Sequence, residues 1–149
     1  MCGFVVTNSD KDIKEMLYRQ KHRGPDAQEF WSDGKISMGH ALLDISGETQ
    51  LQPYKTKKGN VLVFNGEMYD TTNPNDTIFL ANGIDAYGTK FIEYTNWHGS
   101  FVHYNPKEEI LVIARDHFGA KPCWVYTKGK EITVSTSLRS FINKERNHK

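Results

Sequence analysis

The chain has 149 residues and a mass of 17.1 kDa, a size at which one domain buries roughly two-thirds of the surface of its unfolded form. Its 19 basic and 18 acidic side chains give a formal net charge of +1, which excludes a protein-wide field that attracts nucleic acid or an anionic membrane. No apolar run approaches the ~18 residues of a membrane span, and two cysteines make no disulfide framework. We therefore expect a soluble, cytoplasmic protein with one domain, residues 1–149.

Apolar periodicity and turn residues divide the chain into short elements. In chain order they predict a strand at 3–6, a helix at 11–21, strands at 29–31, 36–38 and 61–64, helices at 76–83 and 90–94, and strands at 100–104, 110–114, 123–126 and 132–135. Asp10 is the expected N-cap of the first helix, Asp33-Gly34 the expected hairpin turn, and Gly83 the expected end of the second helix. Many strands with few helices favour antiparallel sheets with helices outside them, an α+β fold. The basic tail, 144–149, is expected to be frayed.

Cys2 is the first candidate functional residue. Removal of Met1 makes Cys2 the N-terminal residue, and a small second residue permits that removal. An N-terminal cysteine carries a nucleophile and a base together, because its α-amine titrates near ~7.7–8.0 and can accept the thiol proton. The alternative is that Cys2 is a small buried side chain at an arbitrary position. A lone cysteine does not distinguish the two interpretations.

Three later segments are rich in the residue types that an amide-cleaving site needs. They are His-Arg-Gly-Pro-Asp at 22–26, Phe-Asn-Gly-Glu-Met-Tyr at 64–69, and Ala-Arg-Asp-His-Phe-Gly-Ala-Lys-Pro at 114–122; Gly39-His40, Gln52-Pro53, Asp76 and the stretch 97–101 accompany them. Behind Cys2 and in this order, they resemble the class II glutamine amidotransferase domain, an N-terminal-nucleophile hydrolase, and most closely the glutaminase domain of asparagine synthetases. The resemblance implies a four-layer αββα sandwich of two antiparallel sheets.

The resemblance also implies a catalytic set. Cys2 is the implied nucleophile, and the side-chain amide of Asn65 and the backbone N–H of Gly66 are the implied donors to the oxyanion. Loss of one such donor typically costs about 10²–10³ in rate. The strand at 61–64 is expected to end on this dipeptide, where N–H groups can turn toward a ligand. The alternative for Asn65-Gly66 is a simple turn, which this dipeptide usually marks.

The implied substrate pocket is mainly charged. Glu67 and Asp76 match the acidic residues of the family that hold the α-ammonium group of glutamine, although Asp76 is also a reasonable helix N-cap. Arg23 lies in a segment that shapes the glutamine pocket in the family. Its alternative is a buried ion pair with Asp26, because an arginine fork serves either role.

Two features depart from the family pattern. Asparagine synthetases follow the Gly-His pair with an arginine for the glutamine α-carboxylate, whereas Leu42 stands there in this chain, followed by the candidate substrate-binding residues Leu43 and Asp44. Weak glutamine binding, a substrate without a free α-carboxylate, or replacement by another cation such as Arg23 is then expected. The sequence also ends at Lys149, where the family continues into a synthetase domain, so we expect the ammonia to be lost to solvent or passed to a separate protein.

Other motifs predict architecture. Arg115, Asp116 and Gly119 match a structural turn behind the family's site, and Cys123 is expected in the core. The six histidines lack the spacing of metal ligands, so we predict no metal site and no cofactor.

The leading hypothesis is a free-standing class II glutaminase module. Cys2 attacks the side-chain carboxamide of glutamine, ammonia leaves, and water hydrolyses the γ-glutamyl thioester to glutamate. A synthetase partner in trans then uses the ammonia, with neither nucleic acid nor membrane involved. The alternatives are a non-catalytic binding or regulatory module of the same fold and an amidohydrolase for another small carboxamide.

Overall fold

The computed structural model describes residues 2–43, 50–69, 71–73, 75–119 and 121–141. The strands are β1 Gly3–Thr7, β2 Ala27–Ser32, β3 Ser37–Leu42, β4 Tyr54–Lys55, β5 Val61–Met68, β6 Trp97–Asn105, β7 Ile110–Arg115, β8 Trp124–Lys128 and β9 Glu131–Ser135. The α-helices are α1 Ile13–Tyr18 and α2 Asp76–Tyr87, and 3₁₀ helices cover Lys21–Arg23, Thr89–Tyr94 and Leu138–Phe141. The expected tail at 144–149 and the candidate residue Asp44 lie outside the described residues.

Two antiparallel sheets stack face to face. One has five strands in the order β2-β3-β1-β9-β8, and the other has four in the order β4-β5-β6-β7. Helix α1 packs on the outer face of the five-stranded sheet, and α2 packs on the outer face of the four-stranded sheet. The predicted αββα sandwich is therefore confirmed.

Side-chain alternation along the strands builds three apolar layers. Phe4 and Val6 of β1 face Val61 and Val63 of β5 between the sheets, whereas Val5 faces α1. Each such side chain is fully buried, which stabilises the fold by about 1.5–3 kcal/mol per residue. Strand β1 is apolar on both faces because it is the central strand of its sheet.

The first helix is shorter than predicted. It begins at Ile13, and its N-cap is Asp12 rather than Asp10, because the Asp12 carboxylate accepts a hydrogen bond from the Glu15 N–H at 3.2 Å. It ends at Tyr18, after which the chain tightens into the 3₁₀ helix. That tightening turns the side chain of Gln20 into the core, where it is fully buried.

Gly83 does not end the second helix. Helix α2 continues to Tyr87 and is capped by Gly88, whose φ of 72° suits glycine. Gly83 is instead a packing residue, because a Cβ there would come within 2.2 Å of the Phe91 ring. Phe91 lies in the segment predicted as a helix at 90–94, which is a 3₁₀ helix.

Gly83→Ala is therefore expected to destabilise the protein, by about 1–3 kcal/mol from overpacking. Helix propensity alone predicts a gain of roughly 0.5–1 kcal/mol for the same change. The ring of Phe91 has little room to move because it packs against both Phe79 and Tyr87. Urea unfolding measures the difference, with Asn82→Ala at the exposed neighbouring position as the control. A stabilised Gly83→Ala variant would contradict this packing argument.

Candidate active site

Cys2 immediately precedes the central strand β1 and is half-buried with a free thiol. The Leu43 N–H donates to its Sγ at 3.5 Å, and the Leu43 carbonyl oxygen lies 3.9 Å from the same sulfur. Strand β1 pairs with β3 from Gly3 opposite Ala41, so the chain leaving β3 passes beside the thiol. The candidate residue Leu43 thus contacts Cys2 through its backbone.

A buried polar cluster fixes the start of β1 behind Cys2. The Phe4 N–H donates to Thr136 Oγ1 at 3.0 Å, and Gln20 Nε2 donates to the Phe4 carbonyl at 3.2 Å. Thr136 Oγ1 in turn donates to Gln20 Oε1 at 2.6 Å, and a Cβ on Gly3 would lie 2.5 Å from that oxygen. The sequence did not single out Gln20 or Thr136, because nothing in their local pattern marks them as buried.

Asn65 and Gly66 lie inside β5 and not at its end. They pair with Ser100 and Gly99 of β6, and the strand continues to Met68. The predicted strand end at this dipeptide is therefore wrong, and so is its alternative as a turn. A Cβ on Gly66 would come within 2.0 Å of the His98 carbonyl oxygen, so the close pairing with Gly99 requires glycine.

The pairing leaves the Gly66 N–H directed away from β6. Gly99 turns both its backbone groups toward Asp116: its N–H donates to Asp116 Oδ2 at 2.7 Å, and its carbonyl accepts from the Asp116 N–H at 3.0 Å. Gly66 and Gly99 are thus a non-hydrogen-bonded antiparallel pair, in which the backbone groups of both residues point outward. The Gly66 N–H therefore lies on the edge of β5 that faces away from β6, at a point that the short strand β4 does not reach.

Neighbouring N–H groups on that edge are already bonded. The Phe64 N–H donates to Gln52 Oε1 at 2.6 Å, and the Met68 N–H donates to Asp76 Oδ2 at 3.0 Å. None of the described hydrogen bonds uses the N–H of Gly66, which lies between them. Gln52, which the sequence marked only as part of the Gln52-Pro53 pair, thus accepts a hydrogen bond from β5 next to this donor.

The Asn65 side chain supplies a second unused donor. It is 4% exposed, and its Nδ2 finds no partner among the described residues. By alternation along β5, it shares the face of Val61 and Val63 that is directed at the five-stranded sheet and β1. A buried amide without a partner costs free energy, so two such donors on adjacent residues suit an oxygen that accepts from both.

His40 joins the two sheets beside these donors. It is 1% exposed on β3, and its imidazole lies close to the backbone of Phe64, the residue before Asn65. Burial lowers the pKa of His40 to about 4, and the backbone of Phe64 only partly opposes the shift. The imidazole is therefore neutral at pH 7, and its Nε2 has no hydrogen-bond partner among the described residues.

His40 gives the stability a defined pH dependence. The unfolded imidazole takes up a proton near pH 6.5 and the folded one only near pH 4, so the unfolded state binds more protons in between. The free energy of unfolding is thus expected to decrease as the pH is lowered through this window, by about 3 kcal/mol in total. Urea unfolding between about pH 7 and 4 should show a shallower fall in His40→Gln. Burial also lowers the pKa of His103, so the His103→Gln variant measures the contribution of that residue to the pH dependence. Parallel curves for wild type and His40→Gln would contradict the assignment to His40.

Acidic side chains gather at the end of β5. Asp76 bonds the backbone of Met68, the residue after Glu67. Burial, followed by the charges of Glu67, Asp116 and Asp76, raises the pKa of the nearby Tyr69 hydroxyl. Asp76 is not the N-cap of α2, because Asn75 takes that role by accepting from the Ile78 N–H at 3.0 Å. The Asp76 carboxylate is thereby left to hold the strand.

Arg23 is half-buried at the end of its 3₁₀ helix. Its Nη1 is buried without a hydrogen-bond partner among the described residues, and burial lowers its pKa. The alternative ion pair between Arg23 and Asp26 is not present in the described part of the chain.

The predicted structural turn is present. Asp116 bonds the backbone of Gly99, and its Oδ1 accepts from the Phe118 N–H at 2.9 Å. The Arg115 guanidinium donates to the carbonyls of Gly119 and Lys121 at 2.9 and 3.0 Å. These residues support β6 beside the donor pair. Within the described ranges, no group of histidine, cysteine and carboxylate side chains is arranged to hold a metal ion.

Comparison with known families agrees with this geometry. A profile described as "Glutamine amidotransferase domain" matches residues 40–143, and a second profile of the same description matches residues 1–73. The chain belongs to the glutamine amidotransferase domain family.

Among its relatives, the amidase chry2 of Gibberella zeae is 29% identical over 93% of this chain and 24% of that protein. Asparagine synthetase 3 of Bacillus subtilis is 24% identical over 95% of this chain and 27% of that protein. The amidotransferase chain thus spans about a quarter of the length of these relatives.

Solved structures show the same fold. The glutamine phosphoribosylpyrophosphate amidotransferase of Bacillus subtilis superposes with a TM-score of 0.72 at 16% identity, covering 94% of this chain and 43% of that one. A structure described as the allosteric regulatory enzyme of purine biosynthesis gives 0.68 at 15% identity, over 95% and 43%. These structures share the predicted sandwich fold. None of the helices in the described part of this amidotransferase domain is long and apolar enough to cross a membrane.

Proposed function

We propose that this domain is a class II glutaminase that hydrolyses the side-chain amide of glutamine. The α-amine of Cys2, freed by removal of Met1, accepts the thiol proton as the sulfur attacks the amide carbon. The proton passes to the departing nitrogen, and ammonia leaves a γ-glutamyl thioester. Water, deprotonated by the same amine, then cleaves the thioester to glutamate and restores the thiol.

One observation carries this proposal: two adjacent donors on β5, Asn65 Nδ2 and the Gly66 N–H, have no partner among the described groups. The negative oxygen of each tetrahedral intermediate needs such donors, and donors fixed before the reaction need no reorganisation during it. Gln52 and Asp116 hold the strands that carry them.

The acidic group at the end of β5 supports an amino acid substrate. Glu67 and Asp76 offer negative charge for the α-ammonium group of glutamine, and Asp76 is held in place by its bond to the Met68 N–H. We propose that the ammonia passes to a synthetase acting in trans. Support comes from relatives named as glutamine-hydrolysing asparagine synthetases. A cytoplasmic location stays a prediction.

Intact mass spectrometry with a diazo-ketone analogue of glutamine tests the proposed chemistry. The expected result is a mature chain without Met1 that gains one mass increment of the analogue, lost when Cys2 is replaced by alanine. Labelling that persists in the Cys2→Ala variant would refute the assignment of the nucleophile. An unlabelled wild-type chain that also releases no glutamate would instead support a non-catalytic module.

A second candidate is an amidase for another small carboxamide. Leu42, in place of the expected arginine, favours it, and so do relatives named as amidases, at 29% and 28% identity. The same nucleophile and donors would serve this reaction. A comparison of glutamate release from glutamine with ammonia release from simple carboxamides separates the two functions.

A further inference from the structure

Arg23 is a half-buried positive charge that forms no ion pair with the acidic side chains of the described residues. Its Nη1 has no hydrogen-bond partner among the described residues, and burial is the cause that lowers its pKa. A buried N–H group of a guanidinium without a hydrogen-bond partner is unfavourable, because its lost hydration is not replaced. A bound anion would replace that hydration with charge-assisted hydrogen bonds.

The backbone after Arg23 rests directly on the end of β3. A Cβ on Gly24 would lie 2.2 Å from the Ala41 carbonyl oxygen and 2.6 Å from the Leu42 nitrogen, so glycine is required for this approach. The Asp26 N–H then donates to the Leu42 carbonyl at 3.0 Å. Arg23 is thus adjacent in sequence to a residue in direct contact with the Ala41–Leu42 peptide.

The same peptide leads to the nucleophile. Leu43 follows Leu42, and its N–H donates to Cys2 Sγ at 3.5 Å. The backbone next to Arg23 and the thiol of Cys2 therefore both contact one short backbone segment, 41–43. Leu42 itself has an apolar side chain and supplies no cation there.

We propose that Arg23 binds the α-carboxylate of glutamine, in the place that Leu42 leaves without an arginine. This assignment rests on the proposed glutaminase function and names the specificity of its site. The planar guanidinium fits a carboxylate with two parallel hydrogen bonds, which a lysine cannot provide. Arg23 beside the five-stranded sheet and Glu67 on the four-stranded sheet then supply opposite charges for a zwitterionic amino acid.

Steady-state kinetics of Arg23→Met with two substrates tests this assignment. Glutamine is compared with glutamine α-amide, which keeps the side-chain carboxamide and the α-ammonium group but has no carboxylate; product analysis identifies which amide is cleaved. The variant should raise KM for glutamine about 30-fold or more, the loss expected when one partner of a buried charge pair is deleted. KM for side-chain cleavage of the α-amide should change by no more than a few-fold.

Two further variants sharpen the result. Lys21→Met removes an exposed positive charge two residues before Arg23. The Lys21 amine contacts Tyr18, so this variant should leave the preference for glutamine unchanged. Leu42→Arg added to Arg23→Met should recover most of the glutamine affinity. If Arg23→Met does not fold, as judged by its melting transition, Arg23→Lys replaces it and should give a smaller rise in KM for glutamine alone.

An equal rise in KM for both substrates would overturn the assignment and make Arg23 a structural residue. A wild-type enzyme that does not prefer glutamine to its α-amide would overturn it as well. Failure of the glutaminase function itself is distinguishable, because wild-type protein would then be neither labelled by the diazo-ketone analogue nor active on glutamine.

Discussion

Cys2→Ala is expected to abolish glutamate release, lowering kcat by at least about 10³-fold, because the nucleophile is lost. Cys2→Ser should be nearly as inactive, since a hydroxyl is far less acidic than a thiol and the α-amine is a weak base for it. The measurement is glutamate release from glutamine under saturating conditions.

The fold should survive these changes. The thiol is half-buried, and among the described residues its hydrogen-bond contacts are to the backbone of Leu43 alone. Cys123→Ser is the matched control, because it alters the other cysteine. Burial raises the pKa of the Cys123 thiol, so its reactive thiolate form is disfavoured. Full activity in Cys2→Ala, or active protein that retains Met1, would refute the role of Cys2.

Asn65→Ala is expected to lower kcat by about 10²–10³ with a smaller change in KM, because its amide donates to the oxyanion mainly in the transition state. Asn65→Asp should be at least as impaired, since a carboxylate would repel the developing negative charge. The rates are measured by single-turnover thioester formation and by steady-state glutamate release.

Ser100→Ala is the control for local packing. Ser100 is buried directly opposite Asn65 on β6, so its loss reports the effect of a small change in the same layer. We expect kcat to stay within a few-fold of wild type in this variant. A comparable loss in both variants, or an unchanged kcat in Asn65→Ala, would remove Asn65 from the oxyanion site.

The layered fold followed from the sequence because its causes are local. Short apolar runs between turn residues predict strands such as β5, and the sparse helical segments predict helices outside the sheets. The same local information located the hairpin at Asp33-Gly34, where Gly34 has a φ of 88°. It misplaced the end of α2 at Gly83, because the Phe91 ring that fills the space beside this glycine comes from a later segment.

The sequence also named the candidate residues, since a nucleophile at position 2 and an Asn-Gly pair are recognisable by residue type. It did not show how Asn65 and Gly66 present their donors, because this depends on the register of β5 with β6 and on the carboxylate of Asp116 bonding Gly99. Registers and buried contacts between distant segments leave no short-range pattern.

The surroundings of Arg23 were likewise decided by the tertiary structure alone. In the sequence, Arg23 and Asp26 are close enough to suggest an ion pair, whereas Leu42 is far away. Folding reverses this order, because the end of β3 lies against Gly24. The Nη1 atom of Arg23 is buried there without a partner among the described residues. The sequence determines which residues are present. The packing of remote segments determines which of their polar groups are left to bind a substrate.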